Sequence, residues 1–504
     1  MNSVRPRPRL VLPLLSLLVV TGCTLRDRPE LGAAPLPSTW TYGPTARPGA
    51  ASANLADWWR GYKDPEISHL VDQALAGNPS VEEALRRVQA ARAVARADNA
   101  LRYPQATPRA RIEIASRLAG PTGGLTEAGE FQGAGTGDPR TVGIGQAGID
   151  ASWEIDLFGR LGAQVRASER NAEARIEDLE AARTALAADV VRSYIEFRGA
   201  QRRRAVIATE LEARRQLAQL VKTQQSAGLA GEFDVQRAGA TFAAARARLP
   251  EVEAEVDIAA QRIATLIGQP KISLGFRQSR GDIPVAVAPG ATLPADLLRM
   301  RPDIRQAEIT ILQRAALADV AYSELFPRLT LDGTIEVRAN VLATPIAGTP
   351  VTFVGGPGLA IPLFDWGQRR AVLDARQAEL KEAIASYRRV VLDAVGEVEG
   401  ALAQVEQQAR RRERLRTAVT AARRAFDTAQ RLYRAGEINL TERLQAETDL
   451  RQAELGLAVA SETHAVALVT LYRALGAGPT RNHVLPAPTT ELPPVASILV
   501  HDDR

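Results

Sequence analysis

The sequence predicts a mixed fold: long helices that pack as a coiled-coil tube, joined to short two-faced strands of membrane β-barrel type, all of it duplicated within one chain. Three observations carry this reading. First, the chain is written twice. Pro79 and Tyr103-Pro104 recur 223 positions later as Pro302 and Phe326-Pro327. Phe158-Gly159-Arg160, Gly228 and Ile267-Gly268 recur 208 positions later as Trp366-Gly367-Gln368, Gly436 and Leu475-Gly476. Second, four segments alternate apolar and polar residues. Third, residues 160–227 and 366–434 contain no proline and keep a helical period. A repeat of this length is too long for a solenoid, so each repeat reads as one slice of a rotationally symmetric object. The change of offset, 15 residues, falls in the Gly-rich stretch after Gly120, which is longer than its counterpart around Pro345.

Composition agrees. Aromatic residues make up 5% of the 504 positions while alanine is abundant, which suits closely approaching helices better than a thick globular core. The formal charge of +5 falls to about +2 without Arg5, Arg7 and Arg9, and the remaining charges of both signs mix along helix faces. No basic block interleaves with aromatics, so nucleic acid is not an expected partner. The four histidines (His69, His464, His483 and His501) are scattered without ligand spacing, and no metal site is expected.

Taken in order, the chain begins with a charged segment, Arg5 to Arg9, followed by an apolar run over residues 10–20 that is too short to span a bilayer. This predicts a cleaved signal peptide over 1–22. Val20-Thr21-Gly22-Cys23 is similar to a bacterial lipobox, and Cys23 is the sole cysteine, so a covalent lipid on Cys23 is the one non-protein group expected. Residue 24 is Thr rather than Asp, which favours the outer membrane over retention at the inner one. Residues 23–63 read as a lipid-anchored tether, rich in Pro, Ala, Gly and Ser after residue 30. A first repeat over 64–275, a connector over 276–301, a second repeat over 302–478 and a tail over 479–504 complete the chain.

In the first repeat, Ala110, Ile112 and Ile114 alternate with Arg109, Arg111 and Glu113. Ile149, Ala151, Trp153 and Ile155 alternate with Asp150, Ser152 and Glu154 in a partner strand read from Ala147 onward. In the second, Leu329, Leu331, Ile335 and Val337 alternate with Thr330, Asp332, Thr334 and Glu336, and a Gly-rich strand follows near 352–361. Period-two alternation gives one apolar and one polar face, as on a lipid-facing barrel wall with a polar lumen. Four strands do not close a barrel and exposed edges are not viable in lipid. In a soluble protein the apolar face would instead pack on a core helix; if these are membrane strands the chain must assemble, and the strands alone leave two, three or four copies open.

Each strand pair feeds a very long helix, about 68 residues or roughly 100 Å in the second repeat. One heptad line there reads Ile384, Val391, Val398, Val405, Arg412, Val419, Phe426 and Tyr433, and the other runs from Tyr387 through Gln408 to Ala429. Only Gln408 and Arg412 break this coiled-coil seam. Gly228 and Gly436 end the long helices, as glycine does where the chain turns left-handed past a helix. Shorter helices return near 233–267 and 441–475, so each repeat carries a helical hairpin with its tip far from the strands.

Several strings now resemble one family: Asp57-Trp58-Trp59 with Asp64-Pro65, Ala74-Leu75-Ala76-Gly77-Asn78-Pro79, Ser152 to Arg160, Arg299 to Glu308, and Pro362-Leu363-Phe364-Asp365-Trp366-Gly367. They resemble the TolC-like outer membrane factors, most closely the lipoprotein branch of OprM and NodT type. The resemblance covers essentially the whole mature chain. It implies a homotrimer with a 12-stranded barrel and a 12-helix periplasmic tunnel, set in the outer membrane of a Gram-negative bacterium among outer-membrane lipids. It further implies an exit duct for drugs or other small molecules expelled by an inner-membrane pump of the resistance-nodulation-division type through a periplasmic adaptor. The same resemblance implies a gate near the helical tips, with Asp234 and Glu442 matching family carboxylates and Tyr433 the family's tyrosine. Gln445 stands where many members carry Asp, and Arg434 and Arg443 are the local candidates to neutralise the carboxylates. The alternative for Asp234 and Glu442 is a helix-start charge favoured by the dipole.

No nucleophile–base constellation, Walker motif or H-E-x-x-H is present, so no enzyme is expected. Gly143-Ile144-Gly145-Gln146-Ala147-Gly148 matches a dinucleotide pattern but is followed by a strand rather than a helix, and reads as a flexible entry to that strand. Two other readings stand beside efflux. One is the exit duct of a type I protein secretion system. The other is a periplasmic scaffold lipoprotein without a pore, which lipobox and heptads would suit but alternating strands would not.

Overall fold

A computed structural model describes residues 40–42, 55–116, 124–125, 131–132, 141–273, 275–276, 281–285, 300–340 and 351–479. Cys23, the signal segment, most of the tether and connector, and the tail beyond 479 lie outside these residues. The described elements are α1 (Pro65–Gly77), α2 (Pro79–Ala100), β1 (Gln105–Ser116), β2 (Thr141–Ile155), α3 (Arg160–Ser226) and α4 (Glu232–Leu266) in the first repeat. The second holds α5 (Pro302–Ser323), β3 (Arg328–Asn340), β4 (Val351–Ala360), α6 (Gln368–Ala435) and α7 (Leu440–Ala474). A small hairpin, Gly124–Leu125 with Phe131–Gln132, sits between β1 and β2 in sequence.

The compact units are not the repeats. One takes Val94–Ser168 and Leu312–Ile384, the other Pro35–Ala93, Glu169–Ile311 and the chain from Ala385 on, so each holds parts of both repeats. The reason is visible in the first unit, where the strands of both repeats share one sheet.

That sheet is an antiparallel meander in the order β1-β2-β3-β4. Its register repeats the sequence offsets without a slip. Gln105↔Ser152 between β1 and β2, advanced by 223 and 208, becomes Arg328↔Ala360 between β3 and β4, which is a pair in the structure. One face is apolar, with Ile149, Ile335 and Phe353 in one row. The other face is a polar lattice. Arg109 pairs with Asp150 at 3.0 Å and with Glu336 at 3.1 Å. The Thr334 hydroxyl donates to Asp150 at 2.7 Å and the Ser152 hydroxyl to Asp332 at 2.6 Å.

Gly148 explains how Arg109 reaches two strands away. It lies between Arg109 and Glu336 in the register, and a Cβ there would come within 2.5 Å of the Ile335 carbonyl and 2.8 Å of the Glu336 Cβ. The glycine-rich string is therefore not an entry to the strand. It lies within β2, which begins at Thr141 rather than Ala147, and its bare backbone makes room for an ion pair across the polar face. Tight joints connect strand to helix: Asp156 accepts from the Leu161 and Gly162 amides at 3.1 and 2.8 Å, and Asp365 from the Gly367 amide at 3.0 Å.

The second unit is helical, and its core explains several of the shared strings. Trp58 stacks on Tyr472, centroids 4.6 Å apart, and Trp59, Tyr194 and Phe197 are buried beside them. Each such side chain contributes about 1.5–3 kcal/mol on burial. Asp64 caps α1 through the Glu66 amide at 2.9 Å and accepts from the Tyr194 hydroxyl at 3.0 Å. The duplication recurs in the caps. Asn78 donates to the Leu266 carbonyl at 2.8 Å, and Arg301, its counterpart, donates to the Ala474 carbonyl at 2.7 Å, each closing the end of a returning helix. Arg301 also pairs with Asp303 and Glu397 at 2.7 and 2.9 Å.

Candidate functional site

The hairpin tips lie in the second unit. At the first, Gly228 takes φ 72° and the Leu229 amide reaches back to the Gln224 carbonyl at 2.8 Å. At the second, Gly436 takes φ 75° and the Glu437 amide reaches the Leu432 carbonyl at 3.0 Å. These paired backbone bonds satisfy the last carbonyls of each long helix, and a left-handed residue is what permits them.

The two tips touch. Leu217, Val221 and Ala238 form a buried cluster with Val235, and Leu440 and Leu444 from the start of α7 pack onto it. Around this contact, the carboxylates expected from the sequence both sit at the third position of a returning helix. The Asp234 carboxylate accepts from the Gly231 amide at 3.2 Å. Asn439 accepts from the Glu442 amide at 2.9 Å and its own amide group donates to the Glu442 carboxylate at 3.4 Å. Both carboxylates thus have local capping work, in the place where the helix dipole favours a negative charge.

The expected cations are placed unequally. Arg443 does not turn to Glu442. It pairs with Glu447 at 3.4 Å, one turn on, and its guanidinium lies 5.9 Å from the Tyr433 ring centroid, a cation–π contact that joins α6 to α7. Arg434 has no ion-pair partner among the described residues. Gln445 donates to Asp449 at 2.9 Å, so an exposed carboxylate lies one turn beyond the position where the chain lacks one. Leu229 and Phe233 are solvent-exposed at the first tip.

One polar contact in the helical seam was not read from the sequence. Arg412, which breaks the heptad line, faces the buried His464 on α7, with 3.2 Å between the guanidinium and Nδ1. Burial, with the Arg412 charge beside it, holds His464 below the ordinary imidazole range, so it accepts as a neutral ring. The hairpin geometry could have revealed it: Arg412 lies 24 residues before Gly436, and the position 24 after it, Ala460, is four residues, about one turn, from His464. The other break, Gln408, keeps its side-chain oxygen buried without a hydrogen bond among the described residues. No group of His, Cys, Asp and Glu that could hold a metal ion occurs among the described residues.

The chain that carries this unclosed sheet and these helical hairpins matches a known family model, outer membrane efflux protein, over residues 70–269 and 293–477. The chain belongs to that family. The first matched stretch lies within residues 64–275, and the second begins at 293, inside the expected connector, and runs to 477. The chain is similar to outer membrane protein OprJ of Pseudomonas aeruginosa, 30% identical over 92% of this chain and 95% of that one. It is also similar to nodulation protein T of Rhizobium leguminosarum bv. trifolii, 28% identical over 93% and 97%. Among solved structures it resembles the outer-membrane channel OprN at 31% identity and a TM-score of 0.74, over 88% of this chain and 98% of that one. As a member of this family the chain is an outer-membrane efflux channel protein with a helical periplasmic portion, and the family is one of channels rather than of enzymes.

Proposed function

We propose that the chain is the passive outer-membrane exit duct of a tripartite efflux assembly, as a homotrimer that receives small molecules from an inner-membrane pump through a periplasmic adaptor. The observation that carries it is the four-stranded sheet with one apolar and one charged face, open at both edges, in the same chain as helices of 67 and 68 residues. Three copies give twelve strands and a lumen lined by Arg109, Asp150, Asp332 and Glu336. A pump of the resistance-nodulation-division type is the partner that the lipoprotein-type strings favour, and a lipid on Cys23 anchors the mature end. The duct itself does no chemistry, and its energy comes from the pump.

Control lies at the tips. In a trimer, three copies of Tyr433, Glu442 and Asp234 converge on the axis, and the Arg443–Tyr433 contact holds α6 against α7 in the closed state. Planar-bilayer recording tests this. Tyr433→Phe with Arg434→Ser is expected to raise single-channel conductance and admit large antibiotics to cells, and Glu442→Ala to shift ion selectivity away from cations. If neither conductance nor selectivity responds, the constriction lies elsewhere. If deletion of the gene leaves drug susceptibility unchanged while an exported protein is retained in the cell, the duct serves protein secretion instead.

A further inference from the structure

The long helices α3 and α6 carry the same basic run at the same distance from their tips. Arg202-Arg203-Arg204 and Arg410-Arg411-Arg412 are related by the 208 offset, so each run begins 26 residues before its tip glycine, roughly 39 Å along the helix. Beside these runs the helical unit holds an open cavity of about 310 Å³ where the two hairpins meet. Arg202 enters it from α3 of the first repeat, and Arg412, Arg416 and Arg423 enter it from α6 of the second. The connector adds Ile283 and Val285 beside Asp282, and α7 adds Leu457 and Glu454.

The charges in this cavity do not balance. Four guanidiniums face two carboxylates, an excess of two positive charges. One of the carboxylates, Glu454, is shared: it holds Arg423 and, at 2.8 Å, Arg451. The rest of the α3 run is neutralised elsewhere, Arg203 by Glu255 and Glu462 and Arg204 by Glu253 at 3.4 Å. The Arg202 and Arg416 side chains make no ion pair or hydrogen bond among the described residues.

Arg412 adds a second, independent observation. It stands between Val405 and Val419 on its heptad line, where an apolar residue would pack without needing a counter-charge. Its contact there is the neutral ring of His464 rather than a carboxylate. A half-buried cation without an anionic partner destabilises the seam that holds it. An anion in the cavity would offset that cost.

We infer that this cavity binds a small oxyanion bearing two or more carboxylate or phosphate groups, held between Arg202 of the first repeat and Arg412 and Arg416 of the second. Guanidinium forks match the paired oxygens of such groups. The excess of two charges calls for at least two of them. The volume is at the low end for small-molecule sites, which fits one compact anion, and Ile283, Val285, Val419 and Leu457 give its body an apolar wall. Bound there, the anion replaces repulsion between the hairpins with a shared counter-charge and clasps the first repeat to the second. Neither the sheet nor the gate enters this inference, so it stands apart from the exit-duct reading.

Isothermal titration of the full-length protein in detergent tests it, with citrate and inorganic pyrophosphate as probes and sodium chloride at matched ionic strength as the control for screening. At least one probe is expected to bind saturably and to raise the thermal midpoint, and sodium chloride to do neither. Citrate binding alone assigns a carboxylate ligand, and pyrophosphate binding alone a phosphate one. Arg202→Gln and Arg416→Gln should each weaken binding by about tenfold, the loss of a charged hydrogen bond. Each should leave the anion-free midpoint unchanged or higher, because it removes an unpaired like charge, and that midpoint also reports that the variants fold. Arg411→Gln with Arg414→Gln, in a separate cavity of about 350 Å³ on another face of α6, should keep the wild-type affinity. The inference is overturned if neither probe saturates or if matched salt reproduces the effect. Wild-type affinity in the Arg202 and Arg416 variants, or an equal loss in the Arg411 and Arg414 pair, overturns it as well.

Discussion

Replacing Ile335 by Arg asks directly which face of the sheet meets lipid. Ile335 is seven residues past the start of β3, on the apolar row with Ile149 and Phe353. At about 3.4 Å per residue and a strand tilt near 40°, it lies roughly 18 Å along the barrel axis from the strand's beginning. An apolar band about 25 Å tall then puts it some 5 Å beyond the middle. An arginine costs about 2–4 kcal/mol at the midplane and about 0–1 near the interfaces, so Ile335→Arg should cost roughly 1.5–3 kcal/mol per chain. Leu331, three residues past the start, falls about as far on the near side and should cost a similar amount. Thr334 is the neighbour on the other face, and its hydroxyl already donates to Asp150. Thr334→Arg gives that carboxylate a cationic donor in water and should stay within about 1 kcal/mol of wild type. Urea unfolding from lipid vesicles would measure all three, and 2 kcal/mol is about a 30-fold change in equilibrium constant. Equal costs on the two faces, or a larger one at Thr334, would refute a lipid-facing apolar wall.

Mass spectrometry of the mature N-terminal peptide is expected to find a lipid on Cys23, and Cys23→Ser should impair maturation more than membrane residence; an unmodified Cys23 removes the anchor from this account. His464 has a depressed pKa in the folded chain and an ordinary one, near 6.5, when unfolded. Its contribution to stability is therefore complete above about pH 6.5 and is lost as pH falls through that value toward the folded pKa. Melting of wild type between about pH 8 and 5 should steepen in that window, and His464→Gln should remove that part of the slope. The duplicated caps should differ in cost. Arg301→Met loses a charged hydrogen bond and leaves the Ala474 carbonyl without its donor, about 2–3 kcal/mol, whereas Asn78→Ala loses a neutral one, about 1 kcal/mol. Thermal unfolding that ranks them the other way would show that the two caps do not share the role the offsets assign them.

Much of the fold was legible because it rests on periodicity. The alternation around Ile112 and Leu331 and the heptads from Val391 to Ala401 each mark a face that must be covered, and those heptad residues are among the most buried of α6. What was missed lies where a side chain is absent or its partner is remote. Gly143, Gly145 and Gly148 erase the alternation of β2, so its first six residues did not read as strand. The caps made by Asn78 and Arg301 join residues 188 and 173 positions apart, and only the folded chain brings them together. At the tips, the sequence held two readings for Asp234 and Glu442. The structure adds the capping bonds that the dipole argument calls for, and it redirects Arg443 to Glu447 and the Tyr433 ring.

The matching registers have a consequence for how such a chain can vary. The segment between β1 and β2 is longer than the one between β3 and β4, yet both ladders keep the same pairing, so that rim tolerates insertion without disturbing a single rung. The opposite rim has no such slack, because Asp156 and Asp365 tie the last strand residues to the first helical amides within a few positions. Change is thus channelled to one end of the wall. Antibodies, phages or an engineer's epitope would meet a surface free to diverge, while the end that feeds the helices stays fixed in length.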